Sequence, residues 1–214
     1  MDAKQFNELT EKYANEHLIP LGFKKKGVHY YLYRSPNLML FCKDTFRGSF
    51  TGFYIALTHD FLSSRGTQNE KLAVPVSLES YPVSISLQEL RQQYSQHESI
   101  LDFTYDLNFM TRCILTTRHR SKFNSFDILN FAKIHENDNR AEEYIKSSFD
   151  ILTKEGMMFF NNFSPMVSYK AVTKFEGTED QTIERFKSEL EHYFKDNNIQ
   201  LERPKTSWFR KYFR

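Results

Sequence analysis

The sequence predicts an α+β protein in which helices pack on one face of an antiparallel sheet. Three observations predict it: a capped amphipathic helix near the N-terminus, aromatic segments with strand periodicity between residues 28 and 110, and helical periodicity between residues 124 and 197. We expect residues 1–202 to form one domain, followed by a basic, aromatic C-terminal tail over residues 203–214. A division near residue 122 is the alternative, because strand-like patterns precede it and helical patterns follow it.

The first helix has a clear start and an ambiguous end. Asp2 can cap it, with Gln5 three residues on completing a capping box. Gly22 sits where a left-handed residue would end the helix, although Pro20 predicts that regular helix stops a turn earlier. The apolar stripe at helical spacing is Phe6, Leu9, Tyr13, Ala14, Leu18 and Leu21.

An antiparallel meander should follow. Residues 22–27 read as a turn, and residues 28–34, 38–43 and 50–58 read as three strands, with Ser35-Pro36-Asn37 turning the chain between the first two. In the first strand, Val28, Tyr30 and Leu32 share one face, and the other carries His29, Tyr31 and Tyr33.

The middle of the chain continues the sheet. Residues 83–87 and 101–109 have strand character, and Ser86 with Glu89 predicts a short helix over residues 87–94. The acids on the polar face of residues 101–109 are too far apart for one metal ion, so we interpret that face as solvated.

Helices should dominate the second half. A helix starting at Asn124 or Ser125 should break at Asn137-Asp138-Asn139, and the next should run from near Arg140 to a stop at Gly156. Residues 157–163 fit either a helix or a buried loop.

The last helix has the strongest pattern. Thr178 and Gln181 form a capping-box pair, and Asn197-Asn198 ends the helix. Its apolar stripe is Ile183, Phe186, Leu190, Tyr193 and Phe194.

The N-terminal pattern resembles a widespread bacterial family of uncharacterised domains. Some members are encoded beside polymorphic or contact-dependent toxins and are taken for immunity proteins, so the resemblance implies a cognate toxin as the partner. The family has no established catalytic residues to carry over. Weaker similarity lies in residues 156–163, and the main motif consists of Phe6, Leu9, Leu21, Gly22, Phe23, Lys24, Lys25, Gly27 and Tyr30 to Tyr33.

Composition is that of an ordinary globular protein with an aromatic core. Hydrophobic residues make up 40% of the chain and charged residues 26%, and the 21 Phe and 12 Tyr should dominate the interior. No stretch is long and apolar enough for a membrane span, and the polar N-terminus predicts a cytoplasmic protein. Cys42 and Cys113 are expected to be buried free thiols.

Charge is distributed unevenly. Residues 112–122 and 203–214 together carry nine basic residues and no acid. Subtracting these nine from the 29 basic residues of the chain leaves 20 against 27 acidic residues, so the remainder is acidic. An acidic body can steer toward a basic partner, and it is also a common way to keep a protein in solution.

No motif indicates a catalytic, cofactor or metal site. The chain has no glycine-rich phosphate loop, no nucleophile elbow and no zinc-binding spacing of His and Cys. His59-Asp60 is weakly typical of a catalytic pair at a strand end, and we favour a partly exposed pair without an active role.

The tail supplies the predicted partner-binding residues Trp208, Phe209, Arg210, Lys211 and Tyr212. Its rings can instead dock onto the domain and leave the charges in water. The favoured function is therefore a non-enzymatic protein-binding domain of the immunity type. The alternatives are a nucleic-acid-associated protein that uses residues 112–122 and 203–214, and an enzyme with His59 as general base. The sequence leaves the oligomeric state open.

Overall fold

The fold confirms the predicted α+β class. A computed structural model describes residues 1–46, 49–62, 82–95, 137–173 and 181–201. Five antiparallel strands form one sheet in chain order: β1 (Lys24–Lys26), β2 (His29–Arg34), β3 (Asn37–Phe46), β4 (Ser49–His59) and β5 (Val83–Ser86). The described helices are α1 (Ala3–His17), α2 (Leu87–Ser95), α3 (Asp138–Ile151), α4 (Met157–Asn162), α5 (Pro165–Val172) and α6 (Gln181–Asp196).

The start of α1 is as predicted. The Asp2 carboxylate accepts a hydrogen bond from the Gln5 backbone N–H at 2.8 Å, and the Gln5 side chain accepts one from the Asp2 N–H at 2.8 Å. Regular helix ends before Pro20, a short 3₁₀ turn spans Ile19–Leu21, and Gly22 adopts φ +94°. Local hydrogen bonds therefore satisfy backbone groups at both ends of α1. Its apolar stripe then determines how the helix is oriented on the sheet.

The turn predicted over residues 22–27 is wrong in part, because Lys24–Lys26 form the edge strand β1. All three lysines are exposed, and short, lysine-rich strands are a common way to prevent edge-to-edge pairing with other chains. Val28, predicted to share a strand face with Tyr30 and Leu32, belongs instead to the β1–β2 turn and is 82% exposed, whereas Tyr30 and Leu32 are buried.

One face of the sheet carries the main core. The strand residues on this face pack with apolar residues of all six described helices. These strand residues are Tyr30 and Leu32 of β2, Met39 and Phe41 of β3, Phe53, Ile55 and Leu57 of β4, and Val83 and Ile85 of β5. Strands and helices from both halves of the chain therefore share this cluster. A smaller buried cluster of Leu38, Leu40, Cys42 and Ala56 lies on the opposite face, where Cys42 is a free thiol as predicted.

Phe149 is the centre of the aromatic packing. Its ring lies 5.3 Å from that of Phe41, 6.3 Å from Phe53, 6.0 Å from Tyr13 and 6.1 Å from the His17 imidazole, measured between centroids. It thus joins α1, α3 and the sheet through contacts that all lie within the range of favourable aromatic pairs.

Gly156 does not end a helix, which corrects the prediction. The chain continues from α3 through a π-helical segment, Leu152–Gly156, into α4, so residues 157–162 are helical. Gly156 is buried with ordinary helical φ, and a Cβ there would lie 3.0 Å from Leu152 Cδ1. Gly156 is therefore a closely packed residue of a continuous helical segment and not a left-handed stop, and an added Cβ would require the Leu152 side chain to shift by a few tenths of an ångström.

The structure also shows two helix N-caps in the second half of the chain. Asn137, predicted to break a helix, caps α3 by accepting from the N–H groups of Asn139 and Arg140. Ser164 caps α5. The predicted stripe of α6 is confirmed, with Tyr193 half-buried and the others buried, and Asn198 ends the helix at φ +55°. Several predictions lie outside the described residues: the strand at 101–109, the helix starting at Asn124 or Ser125, the cap at Thr178, the state of Cys113, and the domain limits near 122 and 202.

Candidate functional site

The end of the β2–β3 hairpin holds an exposed tyrosine in a fixed position. Tyr33 is 48% exposed, and its hydroxyl donates to Asp60 Oδ2 at 2.8 Å. The Ser35 hydroxyl donates to the same oxygen at 2.8 Å, and the Asp60 backbone N–H donates to the Pro36 carbonyl at 2.8 Å. Asp60 therefore ties the turn between β2 and β3 to the residue that follows β4.

Arg34 is held beside this tyrosine. Its Nη1 donates to Asn161 Oδ1 at 3.0 Å, and the guanidinium carbon lies 5.9 Å from the centre of the Phe160 ring. The aromatic face attracts the guanidinium and the amide fixes its direction. We call the exposed group formed by Tyr33, Arg34, Ser35 and Asp60 the hairpin surface.

His59 lies beneath the hairpin surface and is only 1% exposed. Its Nδ1 is 3.0 Å from Asn37 Oδ1, and its Nε2 is 2.8 Å from Ser168 Oγ. The Asn37 amide nitrogen donates to the Phe163 carbonyl at 2.5 Å, which turns its oxygen toward the histidine. Since that oxygen can only accept, the assigned tautomer carries its proton on Nδ1 and accepts the Ser168 hydroxyl proton at Nε2.

Aromatic rings close around this histidine. The imidazole stacks with the Phe163 ring at 4.4 Å and with the Phe61 ring at 5.2 Å, with interplanar angles of 6° and 5°. Phe61 in turn stacks on Tyr193 of α6 at 4.0 Å. The sheet, the end of α4 and α6 thus meet in one series of ring contacts.

Burial lowers the pKa of His59 to about 3. Removing an imidazolium from water is unfavourable, and no carboxylate among its observed partners offsets that cost. His59 is therefore neutral near pH 7, as its two hydrogen bonds require.

Ser168, His59 and Asn37 have the order of a nucleophile, a base and an orienting group. Ser168, however, has 0% exposure, so a substrate atom cannot approach its hydroxyl in this structure. The arrangement acts as a buried polar link between the β3–β4 pair and α5. A buried imidazole with only one of its nitrogens hydrogen-bonded would destabilise the folded protein. In His59 both nitrogens are hydrogen-bonded.

This result corrects the interpretation of His59-Asp60 as a partly exposed pair. His59 points into the core and is buried, whereas Asp60 is half-buried at the surface and holds the hairpin. Asn37 is opposite His59 in the register of β3 and β4, so a correct hairpin register would have found it. Ser168 follows His59 by 109 residues, and no local sequence signal connects them.

A groove opens beside the same ring series. It has a volume of about 440 Å³ and is lined by Phe61, Ser188, Glu189, His192, Tyr193, Asp196 and Asn197. Apart from Phe61, these residues come from α6 and from Asn197, which directly follows it, at the spacing that places residues on one face of a helix. One lining residue, Phe61, directly follows Asp60 of the hairpin surface in the chain.

The other predicted site residues are not placed. Trp208, Phe209, Arg210, Lys211 and Tyr212 lie outside the described residues, as do the basic segments 112–122 and 203–214. Within the described ranges, no set of three His, Cys, Asp or Glu side chains is positioned to hold a metal ion. In the same part of the chain, no helix is both long and apolar enough to cross a membrane.

Comparisons with known proteins add no relative. No family model matches the chain, and no curated protein or solved structure matches it. The resemblance of the N-terminal motif to immunity-related domains therefore stays a prediction.

Proposed function

We propose that this chain is a non-enzymatic protein-binding domain that recognises its partner through the hairpin surface. The observation that carries the proposal is the exposed side chain of Tyr33, anchored by its 2.8 Å hydrogen bond to Asp60. An aromatic ring that is both exposed and already fixed is a suitable anchor for a protein interface.

Preorganisation is the physical basis of this assignment. Ordering a free side chain at an interface costs roughly 0.5–1.5 kcal/mol, and the contacts of Tyr33 and Arg34 reduce that cost before the partner arrives. Tyrosine and arginine are also enriched among the residues that dominate binding energy. The polar link of His59 beneath them supports the hairpin against the helices.

Within this class, we propose that the domain neutralises a cognate bacterial toxin in the cytosol by covering the toxin's active site. The motif from Phe6 to Tyr33 supports this narrower assignment through its resemblance to immunity proteins. The sealed position of Ser168 favours binding over hydrolysis, because the one described nucleophile–base pair is out of reach of a substrate. Inhibition by coverage requires a rigid surface and no reacting group.

Co-expression with the toxin gene adjacent to this gene tests the proposal. We expect rescue of growth and a complex that co-purifies. Tyr33→Ala should weaken binding about 30-fold or more, the loss typical of an interface hot spot of about 2 kcal/mol. Calorimetric titration of the toxin's catalytically inactive form measures the change.

Val28→Ala is the matched control, because Val28 is exposed and apolar but lies at the opposite turn of β2. It should bind as the unmodified protein does. Absence of both rescue and complex formation removes the toxin assignment, and full affinity in Tyr33→Ala removes the hairpin surface as the binding site.

A further inference from the structure

We infer that the groove between Phe61 and α6 accepts an arginine side chain of the protein partner. This inference rests on the proposed function and assigns part of the partner's chemistry. One lining residue, Phe61, directly follows Asp60 of the hairpin surface in the chain, so we expect a partner seated on Tyr33 to reach the groove.

Aromatic rings form one wall. Phe61 and Tyr193 stack with 4.0 Å between ring centres, and both line the groove. Phe61 is already stacked by both Tyr193 and His59, so the edges of these rings, rather than the faces of Phe61, offer apolar contact to the stem and the planar guanidinium of an arginine. A lysine ammonium is smaller and more strongly hydrated, so it gains less from this wall.

The polar atoms of the groove are rich in hydrogen-bond acceptors. Asp196 is an exposed carboxylate, and no hydrogen bond or ion pair to it occurs in the part of the chain that the structure describes. The Asn197 amide nitrogen donates back to the Tyr193 carbonyl at 2.8 Å, which leaves the amide oxygen as the acceptor available to an occupant. Arginine, which has five donors and no acceptor, complements this set.

Charge on α6 acts in the same direction. Asp196 is the last residue of the helix, where the aligned peptide dipoles place partial negative charge, and the exposed Lys195 beside it supplies one opposing charge. Glu189, seven residues earlier, adds a second carboxylate about 10 Å along the axis. Arg185 donates to Glu189 at 3.0 Å and offsets much of that charge, so Asp196 is the principal partner for the cation.

An NMR titration of the ¹⁵N-labelled full chain tests the assignment with a defined probe, the peptide acetyl-Gly-Arg-Gly-amide. The same peptide with citrulline in place of arginine keeps the shape and removes the charge. We expect the arginine peptide to shift the amide signals of residues 188–197, and the citrulline peptide to bind about twofold to fivefold more weakly.

Two variants localise the effect. Asp196→Asn should weaken the arginine peptide about twofold to fivefold. Glu184→Gln removes the same charge from an exposed position on the same helix, about 18 Å away along its axis, and should leave binding unchanged. Unmoved groove signals, equal affinity for the two peptides, or no effect of Asp196→Asn would each overturn the inference.

Further outcomes distinguish an arginine of the partner from other occupants of the groove, and failure of the arginine site from failure of the proposed function. If the peptide binds only when Lys211→Gln and Arg214→Gln are introduced together, the chain's own tail is the occupant and the inference is wrong. If a toxin complex forms and tolerates Asp196→Asn fully, protein binding stands and the arginine site falls. If no complex forms while the groove binds the peptide as expected, the proposed function falls and the arginine site stands.

Discussion

Phe149→Ala is expected to lower the free energy of unfolding by about 3–5 kcal/mol, the usual cost of truncating a buried phenylalanine. The ring is 1% exposed and contacts rings from α1, β3 and β4, so neighbouring groups cannot close the cavity without separating these elements. Urea unfolding followed by circular dichroism gives the change through the midpoint and slope.

Phe149→Leu tests whether volume or aromatic character matters most. It keeps most of the buried volume and should cost less than about 1.5 kcal/mol if filling space is sufficient. A loss below about 1 kcal/mol in Phe149→Ala would mean that α3 is not held by this core, which would contradict the shared interior of sheet and helices.

Acidification is the second large effect, because His59 must be neutral in the folded protein. Its pKa falls from the ordinary 6.5 to about 3 through burial. The unfolded chain therefore binds this proton more readily than the folded protein. The folded protein keeps its full stability above the pKa that His59 has in the unfolded chain. Folding stability is then lost progressively as the pH falls from about 6.5 toward 3.

From pH 7 to pH 5, this one histidine should remove about 2 kcal/mol of folding stability. Burial also lowers the pKa of His29, which contributes in the same direction. His59→Gln isolates the contribution of His59, since it removes the titrating group and keeps an amide that can donate and accept. The variant should start less stable at pH 7 but lose about 2 kcal/mol less over the same interval. Parallel stability profiles would show that His59 does not resist protonation.

Local signals predicted much of this fold. The Asp2–Gln5 capping box appears as expected, and the Ser86 hydroxyl accepts from the Glu89 N–H at 3.2 Å. Such caps depend on residues three apart, so the sequence contains all the information needed. The apolar segments at residues 38–43 and 50–58 likewise located β3 and β4, which are buried on both faces of the sheet, so a continuous apolar run marks them rather than strict alternation.

The errors arise where tertiary packing decides the structure. β1 is three lysines long and has no apolar alternation, so only its pairing with β2 reveals it. Gly156 matches the pattern of a helix stop, yet it has helical backbone angles inside a continuous helical segment. Glycine fits both settings, and a single sequence does not distinguish them.

In the candidate site, too, local patterns were predictable from the sequence and long-range contacts were not. The sequence placed Tyr33 on the strand face opposite that of Tyr30 and Leu32, and Tyr33 is 48% exposed in the structure. It did not reveal that Asp60 fixes that ring or that Ser168 completes the bonding of His59. These contacts depend on the turn after β4 and on the packing of α5, which no short motif encodes.

The central claim is that the hairpin surface is a recognition surface supported by a closed core rather than the mouth of a catalytic cleft. The ¹⁵N chemical shifts of the His59 imidazole, followed from pH 8 to pH 4.5, test it most directly. The claim predicts a neutral ring with its proton on Nδ1 throughout this range. A titration with a midpoint near 6.5 would show an accessible imidazole and would contradict it.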